Sequence, residues 1–384
     1  MGVNFDNTEI AFNTKSNADL KKARMLFKSF DFPFLLSVGP SLAKIVVFIG
    51  LKGLIKNTIF KQFCGGENID DCNTAIEVLD KSGIGTILDY SVEGEDDEET
   101  FDKTKNEIVG TINASKGNNK IPFAVFKVTG IMAADILEKV SSNQNLTSKD
   151  EISLEKGKKR FFEICELAYN SNVRLFIDAE ESWLQGTIDN LADEAMSKYN
   201  QETCIVYNTL QMYRHDRLAK LKLDFETTTH YLGYKLVRGA YMEKERARAK
   251  TMNYEDPIQI DKKSTDEDYN QAVKFCIENS ERISICIGTH NEESSALGVE
   301  LMNKNHIQSS DSRVYFSQLL GMSDHISFNL SNSGFNVAKY VPFGPVLSVI
   351  PYLTRRAQEN SGVAGQMSRE LTLIEREIKR RKTN

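Results

Sequence analysis

The stretch VRLFIDAEESWLQGTIDNLADEAMSKYNQETCIVYNTLQ, residues 173–211, decides the fold. Two short apolar, β-branched runs, VRLFIDA from Val173 and CIVYNTLQ from Cys204, flank a helical stretch, which is the alternation of a βα unit. Working outward, the same kind of run recurs upstream as GTILDY from Gly85 and IPFAVFKVTG from Ile121. Downstream it recurs as YKLVRGAY from Tyr234, ISICIGTH from Ile283, SRVYFSQLL from Ser312 and FNVAKYVPFG from Phe335. The eight runs start roughly 36 residues apart on average, near the length of one βα unit. Eight such units in about 250 residues make a parallel (βα)8 barrel of the TIM type, an α/β fold. An open doubly wound sheet shares the alternation, but its dinucleotide-binding form carries G-x-G-x-x-G after an early strand, and the chain has none. The expected organisation is an N-terminal helical arm over residues 1–80, a barrel over 81–365 and a basic helical tail over 366–384.

The chain has 384 residues, 54 acidic against 48 basic side chains and a formal charge of −6, with 40% hydrophobic and 27% charged residues. That is the balance of a soluble globular protein, without the basic footprint of a nucleic-acid partner. Six cysteines without a C-x-x-C pair read as packing thiols in a reducing cytoplasm. The opening MGVNFDNTEI has neither the basic, apolar head of a signal peptide nor the arginines of a transit peptide, so a cytoplasmic location is expected. The apolar segment from Phe34 to Phe60 is broken by Pro40, Lys44, Lys52 and Lys56 before about 20 clean apolar residues accumulate, so it does not span a membrane. It reads as an arm packed against the protein, with a peripheral position on the inner face of the membrane as the alternative.

In a barrel of this type the chemistry lies at the C-terminal ends of the strands. Those ends are polar here: Lys127 and Thr129; Asp178, Glu180 and Glu181; Gln211 and Tyr213; Lys235, Arg238 and Tyr241; Thr289, His290 and Asn291; Lys339 and Tyr340. Cations and carboxylates around one mouth suit a zwitterionic or anionic small molecule together with a phosphate-bearing cofactor. No metal is expected, because His290 is the only histidine at a strand end and H-E-x-x-H is absent. A Schiff-base lysine at Lys127 or Lys235 is a rival chemistry. After the last strand, Arg355, Arg356 and Glu359 share one face of a helix, offering two guanidiniums to a carboxylate and a carboxylate to an amine. The acidic run from Glu93 to Glu99 reads as a solvated helix start, SSNQNLTSKDE from Ser141 as a polar loop, and REIKRRK near the end as an exposed helix terminus.

In order along the chain, FKVTG ending at Gly130, IDAEESW from Ile177, LQMYR from Leu210, KLVRGAYMEKERARA from Lys235, THNEES from Thr289, FSQLLGM from Phe316, KYVPFGP from Lys339 and YLTRRAQENSG from Tyr352 resemble the proline dehydrogenases. The resemblance covers roughly residues 60–365. It implies a distorted (βα)8 barrel, noncovalent FAD across the strand ends, oxidation of L-proline to 1-pyrroline-5-carboxylate by hydride transfer to the flavin, and electrons passed to a membrane quinone. Carried over by motif, Arg355, Arg356 and Lys127 would hold the proline carboxylate and Glu359 would face the ring nitrogen. Tyr241, Leu319 and Tyr340 would wall in the ring, Asp178 would hold the basic groups, and Lys235 would sit against the flavin nitrogen that accepts hydride. Ala179, Gln211, Arg238, Gly239, Ala240, Thr289, His290 and Asn291 fall on cofactor-contacting positions, with Arg238 the partner of the pyrophosphate. Glu93 would act as a gate, pairing with the first arginine when the last helix closes.

The chain departs from the family in two ways. Many bacterial relatives have arginine where Lys235 stands, and a single ammonium cannot form a planar fork. Many are also fused to a pyrroline-5-carboxylate dehydrogenase domain too large for 384 residues, so a separate downstream enzyme is implied. Within the family the rival is a hydroxyproline dehydrogenase, which the bulk of Tyr340 disfavours. Outside it the rivals are the Schiff-base aldolase or lyase and a noncatalytic amino-acid-binding barrel.

Overall fold

The computed structural model describes residues 2–29, 59–92, 97–353, 355 and 366–383. Its eight strands are β1 (Ile84–Tyr90), β2 (Phe123–Lys127), β3 (Arg174–Asp178), β4 (Val206–Gln211), β5 (Leu232–Val237), β6 (Ile283–Gly288), β7 (Val314–Leu319) and β8 (Val337–Phe343). They close into a barrel in sequential order with helices between them, so each run named from the sequence is a strand. The strands are trimmed relative to those runs: Val128–Gly130, for instance, is a 3-10 turn rather than the end of β2. Strands such as FAVFK and ISICIG are apolar almost throughout because parallel strands are covered on both faces.

The chain divides into two compact units, Gly94–Phe316 and Met1–Glu93 with Ser317–Asn384. In the first unit, β2 pairs with β3 in a register that sets Lys127 beside Asp178. The β4–β5 and β5–β6 pairings set Thr209 beside Lys235 and Lys235 beside Cys286. The N-terminal ends of its strands are sealed by aromatics: Phe123 stacks on Phe176 with centroids 4.2 Å apart, and Tyr207 and Tyr315 meet Phe123 edge-on. Arg174 lies 4.2 Å from the Phe123 centroid, a cation–π contact that lets a guanidinium sit in an apolar floor. The expected helix start is present, since Asp97 caps the Glu98–Ser115 helix by accepting from Thr100 N at 2.9 Å. The expected polar loop is shorter than its sequence suggests. Thr147 and Asp150 form a capping box that begins the Ser148–Asn170 helix inside it.

In the second unit, β1 pairs with β8 from Ile84 against Val337 to Tyr90 against Phe343. The terminal segments pack on one another here. Phe27 and Phe63 from the arm share a core with Val346, Val349, Leu373 and Ile374. Each such buried side chain contributes about 1.5–3 kcal/mol toward docking these segments. The basic tail forms the Gln366–Thr383 helix, and several of its arginines are engaged rather than simply exposed. Arg381 donates to the carbonyls of Phe12 and Lys15, both at 2.8 Å, and Arg24 pairs with Glu375 at 2.8 Å. Most of the arm's apolar segment, residues 30–58, lies outside the described residues; among those described, no helix is long and apolar enough to cross a membrane. All six cysteines are buried and free.

Candidate active site

The ends of β2, β3 and β5 converge on one carboxylate. Asp178 Oδ2 accepts from Lys127 Nζ at 3.2 Å and Oδ1 accepts from Lys235 Nζ, while Lys235 also stands 5.3 Å from the centroid of the Phe176 ring. The Lys235 side chain is only 5% exposed and that of Asp178 14%. Burial alone would raise the Asp178 carboxyl, but the attraction of Lys235 and Lys127 and their hydrogen bonds prevail and hold it below the ordinary carboxylate range. Two ammonium groups thus share one carboxylate at this point, next to the buried Ala179.

Glu180, one residue beyond Ala179, is a buried acid to which the sequence reading assigns no role. Its carboxyl accepts from Thr129 N at 3.0 Å and from the Thr129 hydroxyl, and its backbone carbonyl accepts from Gln211 Nε2 at 2.6 Å. Burial pushes this carboxyl up to about 7 despite the Thr129 donors. The signal in sequence is the acid following the strand-end Asp-Ala. Its partner, Thr129, lies 51 residues away on the neighbouring strand end, and only pairing in space identifies it.

A second polar group spans the ends of β5 and β6. Arg238 donates to Asp266 Oδ1 at 2.7 Å, Thr289 Oγ1 at 2.7 Å and Ser294 Oγ at 2.9 Å, with its guanidinium carbon 4.3 Å from the Tyr269 centroid. Thr289 Oγ1 also accepts from Asn291 N at 3.1 Å, and Asn291 caps the following helix by accepting from Ser294 N at 2.8 Å. Arg238, Thr289 and Asn291 are thus one network, with the half-buried His290 between the last two. Asp266 also accepts from Lys262, so here one carboxylate lies between two cations. Gly239 has φ +133°, and a Cβ there would lie 2.5 Å from the Tyr213 ring, so only glycine fits. Ala240 follows it, and Tyr241 is the N-cap of the Met242–Met252 helix.

In the other unit, Leu319 ends β7 and Tyr340 lies in β8, 7% exposed; the Tyr340 carbonyl accepts from Leu320 N at 2.8 Å. Lys339, expected at the polar mouth, is instead wholly buried and donates to Asp324 Oδ1 and to the Met322 carbonyl, both at 2.7 Å. Arg355 is half-buried in a helix. Glu93, Arg356 and Glu359 lie outside the described residues.

A closed parallel barrel with its charged clusters at the C-terminal strand ends has the architecture of the TIM-barrel enzymes. The chain belongs to the proline dehydrogenase family: residues 72–369 match the family described as Proline dehydrogenase. It is 33% identical to "Proline dehydrogenase 1, mitochondrial" of Dictyostelium discoideum, over 97% of this chain and 74% of that one. It is 30% identical to "Hydroxyproline dehydrogenase" of Xenopus laevis, over 97% and 89% of the two chains. The crystal structure of proline utilization A (PutA) from Bdellovibrio bacteriovorus superposes with a TM-score of 0.73 at 19% identity, over 93% of this chain and 38% of that one. The fold is shared, and the chain spans less than two fifths of that solved protein.

The expected cytoplasmic location is corrected by these relatives. The Dictyostelium protein and those of Arabidopsis thaliana and Homo sapiens are named as mitochondrial, which points to mitochondria rather than the cytoplasm. Free, buried thiols are compatible with more than one compartment, which is why cysteine usage could not make the distinction.

Proposed function

We propose that the chain oxidises L-proline to 1-pyrroline-5-carboxylate, with FAD as cofactor and a membrane quinone as final acceptor. A separate pyrroline-5-carboxylate dehydrogenase would then act on the product. The observation that carries this reading is the convergence of Lys127 and Lys235 on Asp178 at the strand ends of a chain in this family. The donor set fits FAD: Arg238 and Lys262, gathered around Asp266, are cations of the kind that meet a pyrophosphate, and the Gln211 carboxamide and Thr289 hydroxyl lie in the same series of strand ends. Bound there, FAD would supply the two-electron acceptor for a hydride.

The residues of this chain bind, orient and hold charge. Arg355, Arg356 and Lys127 receive the proline carboxylate, and Glu359 faces the ring nitrogen. Tyr241, Leu319 and Tyr340 wall the ring. Asp178 keeps Lys127 and Lys235 in place, and Lys235 presents its cation to the flavin. Ala179, Gln211, Arg238, Gly239, Ala240, Thr289, His290 and Asn291 hold the cofactor, and Glu93 gates the closing of the last helix, which excludes water. In this reading residues 1–80 serve as the arm, 81–365 as the catalytic barrel and 366–384 as the helical tail.

Hydroxyproline oxidation is the second reading, favoured by the Xenopus relative's name and opposed by the phenol of Tyr340 at the ring wall. A Schiff-base lyase is disfavoured because Lys127 and Lys235 both donate to Asp178, and an amine so engaged is not free to attack a carbonyl. The test is an absorbance spectrum of the purified protein between about 300 and 550 nm, before and after anaerobic L-proline. A flavin spectrum that bleaches supports the reading. A colourless protein that FAD does not reconstitute overturns it.

A further inference from the structure

The turn that joins β7 to the Asp324–Asn332 helix is held from three distant parts of the sequence. From β8, Lys339 is 0% exposed and uses its ammonium on the Leu319 carbonyl at 3.3 Å, the Met322 carbonyl at 2.7 Å and Asp324 Oδ1 at 2.7 Å. From the arm, Lys15 reaches Asp324 Oδ2 at 3.8 Å and Gln62 Nε2 donates to the Gly321 carbonyl at 3.0 Å. From the C-terminal helix, the buried Glu370 accepts from Ser323 N, with the buried His325 beside it. Gly321 sits at φ +76°, which glycine adopts freely, but Ser323 sits at φ +50°, a conformation a non-glycine residue keeps when its surroundings over-determine it. A tail helix contributing a buried carboxylate to that turn does more than cover apolar surface.

The two residues adjoining this cluster are Leu319, whose carbonyl Lys339 holds, and Tyr340, next to Lys339 and bonded through its carbonyl to Leu320 N. Both are assigned above to the wall around the substrate ring. We infer that Lys339 and Glu370 are positioning residues for substrate selection, through which the terminal segments set the placement of Leu319 and Tyr340 and hence the preference for an unsubstituted ring. The inference rests on the proposed reading of those two walls. Neither residue touches substrate in it. Each acts through the backbone of the turn.

The experiment compares full-length wild type with Glu370→Ala and Glu370→Gln, measuring flavin content, kcat and KM for L-proline and for trans-4-hydroxy-L-proline. An apolar wall rejects an added hydroxyl by about a hundredfold. Glu370→Ala is expected to cost about tenfold of that ratio of kcat/KM, mainly through KM for proline, with flavin retained. Glu370→Gln, which keeps an acceptor for Ser323 N, is expected to restore most of it. A Glu370→Ala protein that loses thermal stability but keeps the wild-type substrate ratio overturns the inference and leaves Glu370 a merely structural residue. Should Glu370→Ala not fold, Lys15→Met at the exposed edge of the cluster reads the same ratio, with a narrowed ratio in support and an unchanged one against. A wild-type protein that neither bleaches with proline nor turns it over would instead sink the reading of the site, whatever the variants do.

Discussion

Replacing Asp178 with asparagine removes the carboxylate that Lys127 and Lys235 share while keeping its shape. With Lys127 Nζ 3.2 Å from Oδ2, one such charge pair is worth roughly 5 kcal/mol at an effective dielectric of about 20. Desolvation offsets part of this, and breaking a buried pair by removing one partner typically costs about 3–5 kcal/mol. The asparagine carbonyl still accepts from one lysine, so a loss near the lower end, about 3 kcal/mol, is expected. At a urea slope of about 3 kcal/mol per molar, the unfolding midpoint at pH 7 should fall by about 1 M.

The pH dependence has a definite sign. The Asp178 carboxyl is held below its ordinary range, so its contribution is fully present above about pH 4 and is lost as pH falls through the depressed folded value. The gap between wild type and Asp178→Asn should therefore close on acidification. Urea titrations at several pH values would refute the argument if the two midpoints coincide at pH 7, or if the gap widens toward acid.

Glu180, pushed up to about 7 from 4.5, binds its proton more tightly when folded, so stability should fall by about 3 kcal/mol as pH rises between those values. Glu180→Gln should remove that slope in urea titrations, and an unaltered slope would assign it to another group. Gly239→Ala forces a Cβ to within 2.5 Å of Tyr213 at φ +133°, and thermal melting should show a loss of at least about 1–3 kcal/mol; an unchanged melt would refute the fit argument. In the proposed carboxylate clamp, Arg355→Met and Arg356→Met would each remove a charge-assisted contact and should each weaken proline binding by more than about 2 kcal/mol, about thirtyfold in KM. Unchanged Michaelis constants in both would remove the clamp.

By itself the sequence determined the barrel and most of the cluster of strand-end charges. A buried parallel strand must be a short apolar run, and a βα unit returns the chain to the same end each time, so runs such as VRLFIDA and ISICIGTH betray both the strands and the polar residues that end them. The order of those motifs carried the family as well. What only the tertiary structure decided are the contacts between residues distant in sequence: Thr129 on Glu180, Asp266 on Arg238, and Lys339, which sequence places on the mouth and the fold turns into a buried cluster. The role of the ends of the chain was equally hidden. The basic tail looks like solvated charge along the sequence, yet Arg381 caps the carbonyls of Phe12 and Lys15 and Glu370 reaches Ser323. Local patterns report which face of a strand or helix is apolar. A polar side chain's partner is set by how the chain returns in three dimensions, and a buried charge settles where that return supplies its complement.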